Sequence, residues 1–103
     1  GNRFGRSCSP VIVAKAERAL REMGYRVFRN NPYAGGFTTQ HYGRPAEAVH
    51  TLQIELNRAL YMDENRIERT VLMPGVRDDM TALMHELADI DPALLHPAKK
   101  AAE

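Results

Sequence analysis

A chain of 103 residues, 44% hydrophobic and 26% charged, holds at most one domain with one modest core. Fourteen Lys and Arg against thirteen Asp and Glu leave a net charge of +1, which offers no electrostatic case for nucleic acid or an anionic membrane surface, both of which require a concentrated basic face. The single cysteine, Cys8, excludes an internal disulfide framework and fits a reducing, cytoplasmic setting, and no apolar run approaches the ~20 residues of a membrane span.

The chain opens on Gly1-Asn2-Arg3-Phe4-Gly5, without Met or signal peptide, which reads as processing, an artificial boundary or a fragment. A helix follows. Ser9 caps it, Pro10 fits its first turn, and Val13, Ala16, Leu20 and Met23 form its apolar stripe, with Lys15, Arg18 and Glu22 outside. Gly24 supplies a left-handed stop. Residues 25–29, Tyr-Arg-Val-Phe-Arg, alternate as a short strand, so helix, glycine and strand make a tight αβ turn.

Residues 30–45 read as an ordered loop, because Tyr33, Phe37 and Tyr42 are residues that disordered segments lack. Residues 49–61 fit two periods. Val49, Leu52, Leu56, Ala59 and Leu60 make a helical stripe, while Leu52, Ile54 and Leu56 make one strand face with Gln53, Glu55 and Asn57 on the other. Ile54 favours the strand. Arg66-Ile67-Glu68-Arg69 mixes signs and reads as solvated surface. After a break at Met73-Pro74-Gly75, a second amphipathic helix is expected over 77–90, started by Asp78 and Asp79, buried through Met80, Leu83, Met84 and Leu87, and ended by Asp91-Pro92. A helical turn follows at 93–95. Residues 97–103 form an expected frayed tail.

Candidate chemistry concentrates between Asn31 and Arg58. Gly35-Gly36 offers backbone N–H groups to an anion, Thr38 and Thr39 can donate to a carboxylate, and His41 and Arg44 can bring positive charge. Together they suit a carboxylate ligand, although a glycine pair is also an ordinary turn. Glu55, set among apolar residues, is either a charge paired with Arg58 or a lysine, or a proton carrier in a partly dry wall. His41, His50, His85 and His96 show no ligand spacing for a metal, with His85 read as packing or surface and His96 as solvated. Ser7 and Ser9 lack a nucleophile elbow. Cys8 is either a small buried residue or a thiol activated by the helix start.

The run Pro32-Tyr33-Ala34-Gly35-Gly36-Phe37-Thr38-Thr39, then His41-Tyr42-Gly43-Arg44-Pro45, Val49-His50-Thr51-Leu52-Gln53-Ile54-Glu55-Leu56-Asn57-Arg58 and Tyr61-Met62-Asp63-Glu64, resembles the N-formylglutamate amidohydrolase (deformylase) family. The opening Gly1-Asn2-Arg3-Phe4-Gly5 with Ser7-Cys8 resembles that family's stretch just before the helix. The similarity runs from Gly1 to about Ile90. It implies an α/β chain, the C-terminal part of a zinc-carboxypeptidase-like (phosphorylase/hydrolase-like) fold with helices packed on a mixed sheet, residues 1–96 forming part of one domain.

The resemblance also implies a metal-dependent enzyme of histidine degradation that cleaves N-formyl-L-glutamate to formate and glutamate. The segment containing Glu55 becomes a strand. Glu55 takes the place of the catalytic glutamate that deprotonates a zinc-bound water and hands the proton to the departing amine. Gly35, Gly36, Thr38, Thr39, His41, Tyr42 and Arg44 become substrate-binding residues for a small N-acyl acidic amino acid. The family's metal ligands, two His and a Glu for zinc or another divalent ion, lie before the region represented here, as does an Asn-Arg pair for the substrate carboxylate. Gln40 stands where many members carry a charge.

Two functions follow as expectations. The chain is part of an amidohydrolase, active with its missing N-terminal portion, or it is a truncated, non-catalytic module for ligand binding or interaction. Either case predicts a bare sheet edge or apolar patch, open to that portion or to self-association.

Overall fold

The computed structural model describes residues 1–66, 68–70 and 72–95. The expected frayed tail and the solvated His96 lie outside the described residues.

Helix α1, Pro10–Glu22, forms where its local signals put it. Ser9 Oγ accepts the Val11 N–H at 3.2 Å, and Pro10 sits in the first turn, where a missing N–H leaves nothing unpaired. Gly24 turns the chain at φ +98°. Val13, Ala16, Ala19 and Leu20 are buried and Met23 packs beside them.

The second long helix, α3, spans Met73–Ala88, with the short α2, Phe37–Tyr42, between them in sequence. The break expected at Met73-Pro74-Gly75 is instead the first turn of α3, because proline is accommodated there. Val76, Leu83 and Ile90 are buried, with Met80 and Leu87 partly so. Their alternating four- and three-residue spacing is that of a narrow seam between two helices. Met84, expected in that stripe, falls off the seam and is 71% exposed.

The core is α1 against α3, joining Ala16, Ala19, Leu20 and Leu83, with Tyr25, Val27 and Leu52 packed at its margin. Burying a leucine such as Leu83 contributes roughly 2 kcal/mol. Tyr25 donates from its hydroxyl to Asp79 Oδ2 at 2.5 Å, tying the segment after α1 to the start of α3.

The expected mixed sheet does not form among the described residues. Their sheet is one antiparallel pair, β1 Met62–Asp63 and β2 Glu68–Arg69, in register Met62 to Arg69 and Asp63 to Glu68. Asp63 Oδ1 accepts the Asn65 and Arg66 N–H groups at 3.0 and 3.2 Å and turns the chain between them. Residues 25–29, expected as a strand, join no ladder. Alternation supplies a strand face but no partner.

Residues 51–57 are neither the helix nor a strand within a sheet. They do begin with strand-like pairing. Thr51 and Gln53 donate their N–H groups to Ser7 O and Gly1 O at 2.8 and 2.9 Å, and the Gly1 nitrogen donates to Gln53 O at 2.7 Å. The Gly1–Gln53 exchange is a single antiparallel pair, while Thr51 bonds to Ser7 six residues further along, past the turn at Arg3–Gly5, so the two do not make a continuous ladder. Single turns close the segment at Arg58–Leu60 and follow α3 at Pro92–Leu94, the latter close to the expected turn at 93–95.

Burial, then the bond to Asp79 and the charge of that carboxylate, push the Tyr25 phenol up to about 12. A raised folded-state value means that the link is at full strength below the ordinary phenol value near ~10 and fades as pH climbs to about 12. Tyr25→Phe should therefore lower stability by about 1 kcal/mol at neutral pH. Urea unfolding of both proteins across a pH series should show their difference shrinking over that alkaline window.

Candidate active site

Three polar side chains, Thr51, Gln53 and Glu55, alternate along the segment that pairs with the opening residues. Gln53 reaches in two directions. Its Oε1 accepts the Gly36 N–H at 2.8 Å, and its Nε2 donates to Glu55 Oε1 at 2.5 Å. One neutral amide thus links the glycine pair to the carboxylate.

Glu55 is exposed. The partly dry wall expected around it is absent, because nothing among the described residues covers that side of the segment. Nor does it form the expected pair with Arg58, whose Nε lies 3.6 Å from Glu64 instead. Among the described residues Glu55 makes no ion pair, so its neighbour in the site is an amide rather than a cation.

The loop expected over 30–45 is ordered and contains α2. Gly35 adopts φ +113°, and a Cβ there would run into the Thr39 side chain. Thr39 is 1% exposed and donates its hydroxyl to Gly36 O at 2.7 Å. The glycine pair is therefore tied on both sides, with its N–H on Gln53 and its carbonyl on Thr39 and the Gln40 N–H. The Gly36 N–H, expected to face an anion, is occupied by Gln53.

Along α2, the His41 ring stacks on Phe37 at 5.0 Å and meets the edge of Tyr42 at 4.7 Å. Phe37, Thr38, His41 and Tyr42 all face solvent, which leaves a polar and aromatic surface beside the glycine turn. Arg44 is bridged to Val49 through the backbone and points its guanidinium toward Glu47 at 3.6 Å.

Two residues at the start of α1, His50 and Cys8, are held against the interior, Cys8 as the small buried residue that one reading expected. His50 Nδ1 accepts the Ser9 N–H at 3.0 Å at the start of α1, which puts the ring proton of the neutral form on Nε2. That Nε2 is buried without a hydrogen-bond partner among the described residues. Cys8 is 0% exposed, and burial pushes its thiol up to about 11, with the Gly1 amino charge partly opposing. A thiol so held is a packing residue at neutral pH. His85 is on the exposed side of α3.

Among the described residues no three His, Cys, Asp or Glu side chains gather as a metal site, and none of the helices is long and apolar enough to cross a membrane. A groove of about 870 Å³ runs between α1 and the segments 25–33 and 52–57. Val13, Leu20, Val27, Leu52, Ile54 and Leu56 give it apolar walls, and Glu55 stands on its lining; the other expected site residues do not.

Known proteins resemble this chain in sequence and in fold. The sequence profile of N-formylglutamate amidohydrolases matches residues 1–62. The chain belongs to the N-formylglutamate amidohydrolase family. It is 40% identical over 65 residues to an N-formylglutamate deformylase of Pseudomonas aeruginosa, a match covering 62% of this chain and 24% of that protein. Against an N-formylglutamate deformylase of Pseudomonas putida the identity is 39% over 61 residues, covering 58% of this chain and 23% of the relative.

The crystal structure of N-formylglutamate amidohydrolase from Ralstonia eutropha JMP134 superposes with a TM-score of 0.82 at 44% identity, over 86% of this chain and 32% of that one. The match spans about a quarter of the length of the curated relatives.

Gln53 is the site residue that sequence reasoning passed over. Its signal was present, since Gln-x-Glu places both side chains on one side of an extended segment. Gly43 is a second. A Cβ there would sit 2.7 Å from Ser7 Cα and 2.6 Å from Thr39 O, both backbone atoms that cannot swing aside. Gly43→Ala should thus separate the end of α2 from Ser7 and cost about 2 kcal/mol, read as a lower urea midpoint.

Proposed function

We propose that this chain supplies the proton-transfer carboxylate and part of the substrate surface of an amidohydrolase that cleaves N-formyl-L-glutamate to formate and L-glutamate. The observation that carries the reading is Glu55, exposed on the groove lining and held by Gln53 to the glycine turn. The chain's family and its relatives named for this deformylation support it.

In this reading Glu55 takes a proton from the attacking water as the water oxygen bonds to the formyl carbon. It returns that proton to the amide nitrogen as the C–N bond breaks. Formic acid and the free amine leave, and the acid yields its proton to become formate. His41 and Arg44 supply positive charge for the substrate's carboxylates, Thr38 and Tyr42 supply hydroxyl groups beside them, and Gly35-Gly36 shapes the wall. Thr39, being buried, supports that wall from behind.

The proposal extends to the fold and setting that the resemblance implies: part of a zinc-carboxypeptidase-like α/β domain working in histidine degradation in the cytoplasm. The residues described here do not suit a metal, so zinc or another divalent ion would be held by other segments. The same segments would fill the apolar groove. Its walls include two stretches, 25–28 and 54–57, that join no ladder, which is the surface an inserted strand would need.

A second reading rests on that groove alone: a non-catalytic module whose apolar cleft receives another polypeptide, including a second copy of the chain. Reading the gene upstream of Gly1 and assaying its whole product with zinc for formate release separates the two. The enzyme reading expects turnover of N-formyl-L-glutamate and a fall of about 10³-fold in kcat for Glu55→Gln, with little change in KM. Turnover untouched by Glu55→Gln would remove this residue from the chemistry, and a whole product that releases no formate would leave the module reading.

A further inference from the structure

We infer that Gln53 is a positioning residue, a neutral clamp that aims Glu55 and couples its aim to the glycine turn. This rests on the reading of Glu55 as the proton carrier. The argument begins with donors and acceptors. The Gly36 N–H can only donate, so the Gln53 atom facing it is the amide oxygen. The other end of the same amide is then an NH₂ group, and it meets the Glu55 carboxylate, which in its charged form can only accept. Both ends of the side chain are therefore assigned by their partners, and a flipped amide would leave both bonds unmade.

The clamp has a firm base. The Gln53 backbone is fixed by two hydrogen bonds with Gly1, at 2.9 and 2.7 Å. Gly36 is fixed in turn by the buried Thr39 and by the first turn of α2. Glu55, by contrast, is exposed and pairs with no Lys, Arg or His side chain among the described residues, though the Gly1 amino charge acts on it. A free glutamate on that surface would sample several rotamers, and proton transfer requires one within hydrogen-bond reach of its target. The bond from Gln53 selects the rotamer through a neutral donor. It also makes the orientation of Glu55 depend on the glycine turn, so a movement of residues 35–36 around a substrate would be felt at the carboxylate.

Two substitutions separate aiming from mere loop support. Gln53→Glu keeps an oxygen for the Gly36 N–H but sets a second carboxylate against Glu55. Gln53→Met fills the space and keeps neither bond. In the whole gene product, both should lose about 10²-fold in kcat with KM little changed, and Gln53→Glu should still protect the Gly36 amide from hydrogen exchange. Rates near wild type for Gln53→Glu would show that Gln53 only holds the loop, and would overturn the inference.

Glu55→Gln is run in parallel. If it leaves turnover intact, the reading of Glu55 fails first and the role of Gln53 fails with it. The clamp is also visible without turnover. The Gln53 side-chain NH₂ resonances in a ¹H–¹⁵N spectrum should shift on Glu55→Gln, and the absence of any shift would overturn the inference whatever the kinetics.

Discussion

The pairing of residues 51–53 with the opening of the chain is the constraint on which the site depends. Gln53 exchanges two hydrogen bonds with Gly1 and Thr51 bonds to Ser7 beyond the turn at Arg3–Gly5, and two such anchors two residues apart fix which way the segment faces. A slip of one residue would turn Gln53 and Glu55 to the opposite side of the segment. The glycine turn depends on the same anchor from its other end: Arg3 N–H donates to Ala34 O at 2.8 Å, and Asn2 exchanges two hydrogen bonds with Asn30 at 2.8 and 2.7 Å. Gly1 to Ser7 thus forms a central strap, with the loop of residues 30–36 on one side and the segment of Glu55 on the other.

That strap was hard to read from residues alone. α1 was legible because its signals are local: Ser9 and Pro10 at one end, Gly24 at the other, and a stripe at helical spacing between. α3 was legible in its middle and misplaced at its start, since Pro74 reads equally as a breaker and as a first-turn residue. Met84 was placed in the core because a surface helix commonly buries a broad face. With α1 as its neighbour, α3 buries only the seam through Val76, Met80, Leu83 and Leu87. α2 was missed for want of length: six residues hold too few turns for a period to show.

The site was legible in its residue types and much less in their contacts. Gly35, Gly36, Thr39 and Glu55 were all noticed, but the pattern could not say that Thr39 faces inward or that the Gly36 N–H is already taken. Those facts depend on chain reversals between residues far apart in sequence. The resemblance carried more, because a family pattern summarises such contacts without displaying them, and the match of residues 1–62 to the family bears it out. The expected mixed sheet is the instructive failure. A strand needs a partner along its length: among the described residues 25–29 finds none, and 51–57 is held only at Thr51 and Gln53, by the opening of the chain.

An exposed glutamate and a buried threonine seem at first to have exchanged places, since a proton carrier is usually the sheltered group. The hydrogen bonds make the arrangement coherent. Thr39 is buried because its hydroxyl must reach the Gly36 carbonyl, and Gly36 must be still if Gln53 is to hold anything. Order then passes outward, from the packed underside of α2, through the glycine turn and a neutral amide, to a carboxylate at the surface. Rigidity is built in the interior and delivered to the edge by bonds that carry no net charge. A lysine or arginine in place of Gln53 would hold Glu55 more strongly, but as half of an ion pair that opposes its taking up a proton. An amide orients the carboxylate through a neutral donor, which under the proposed function suits a group that accepts and releases a proton.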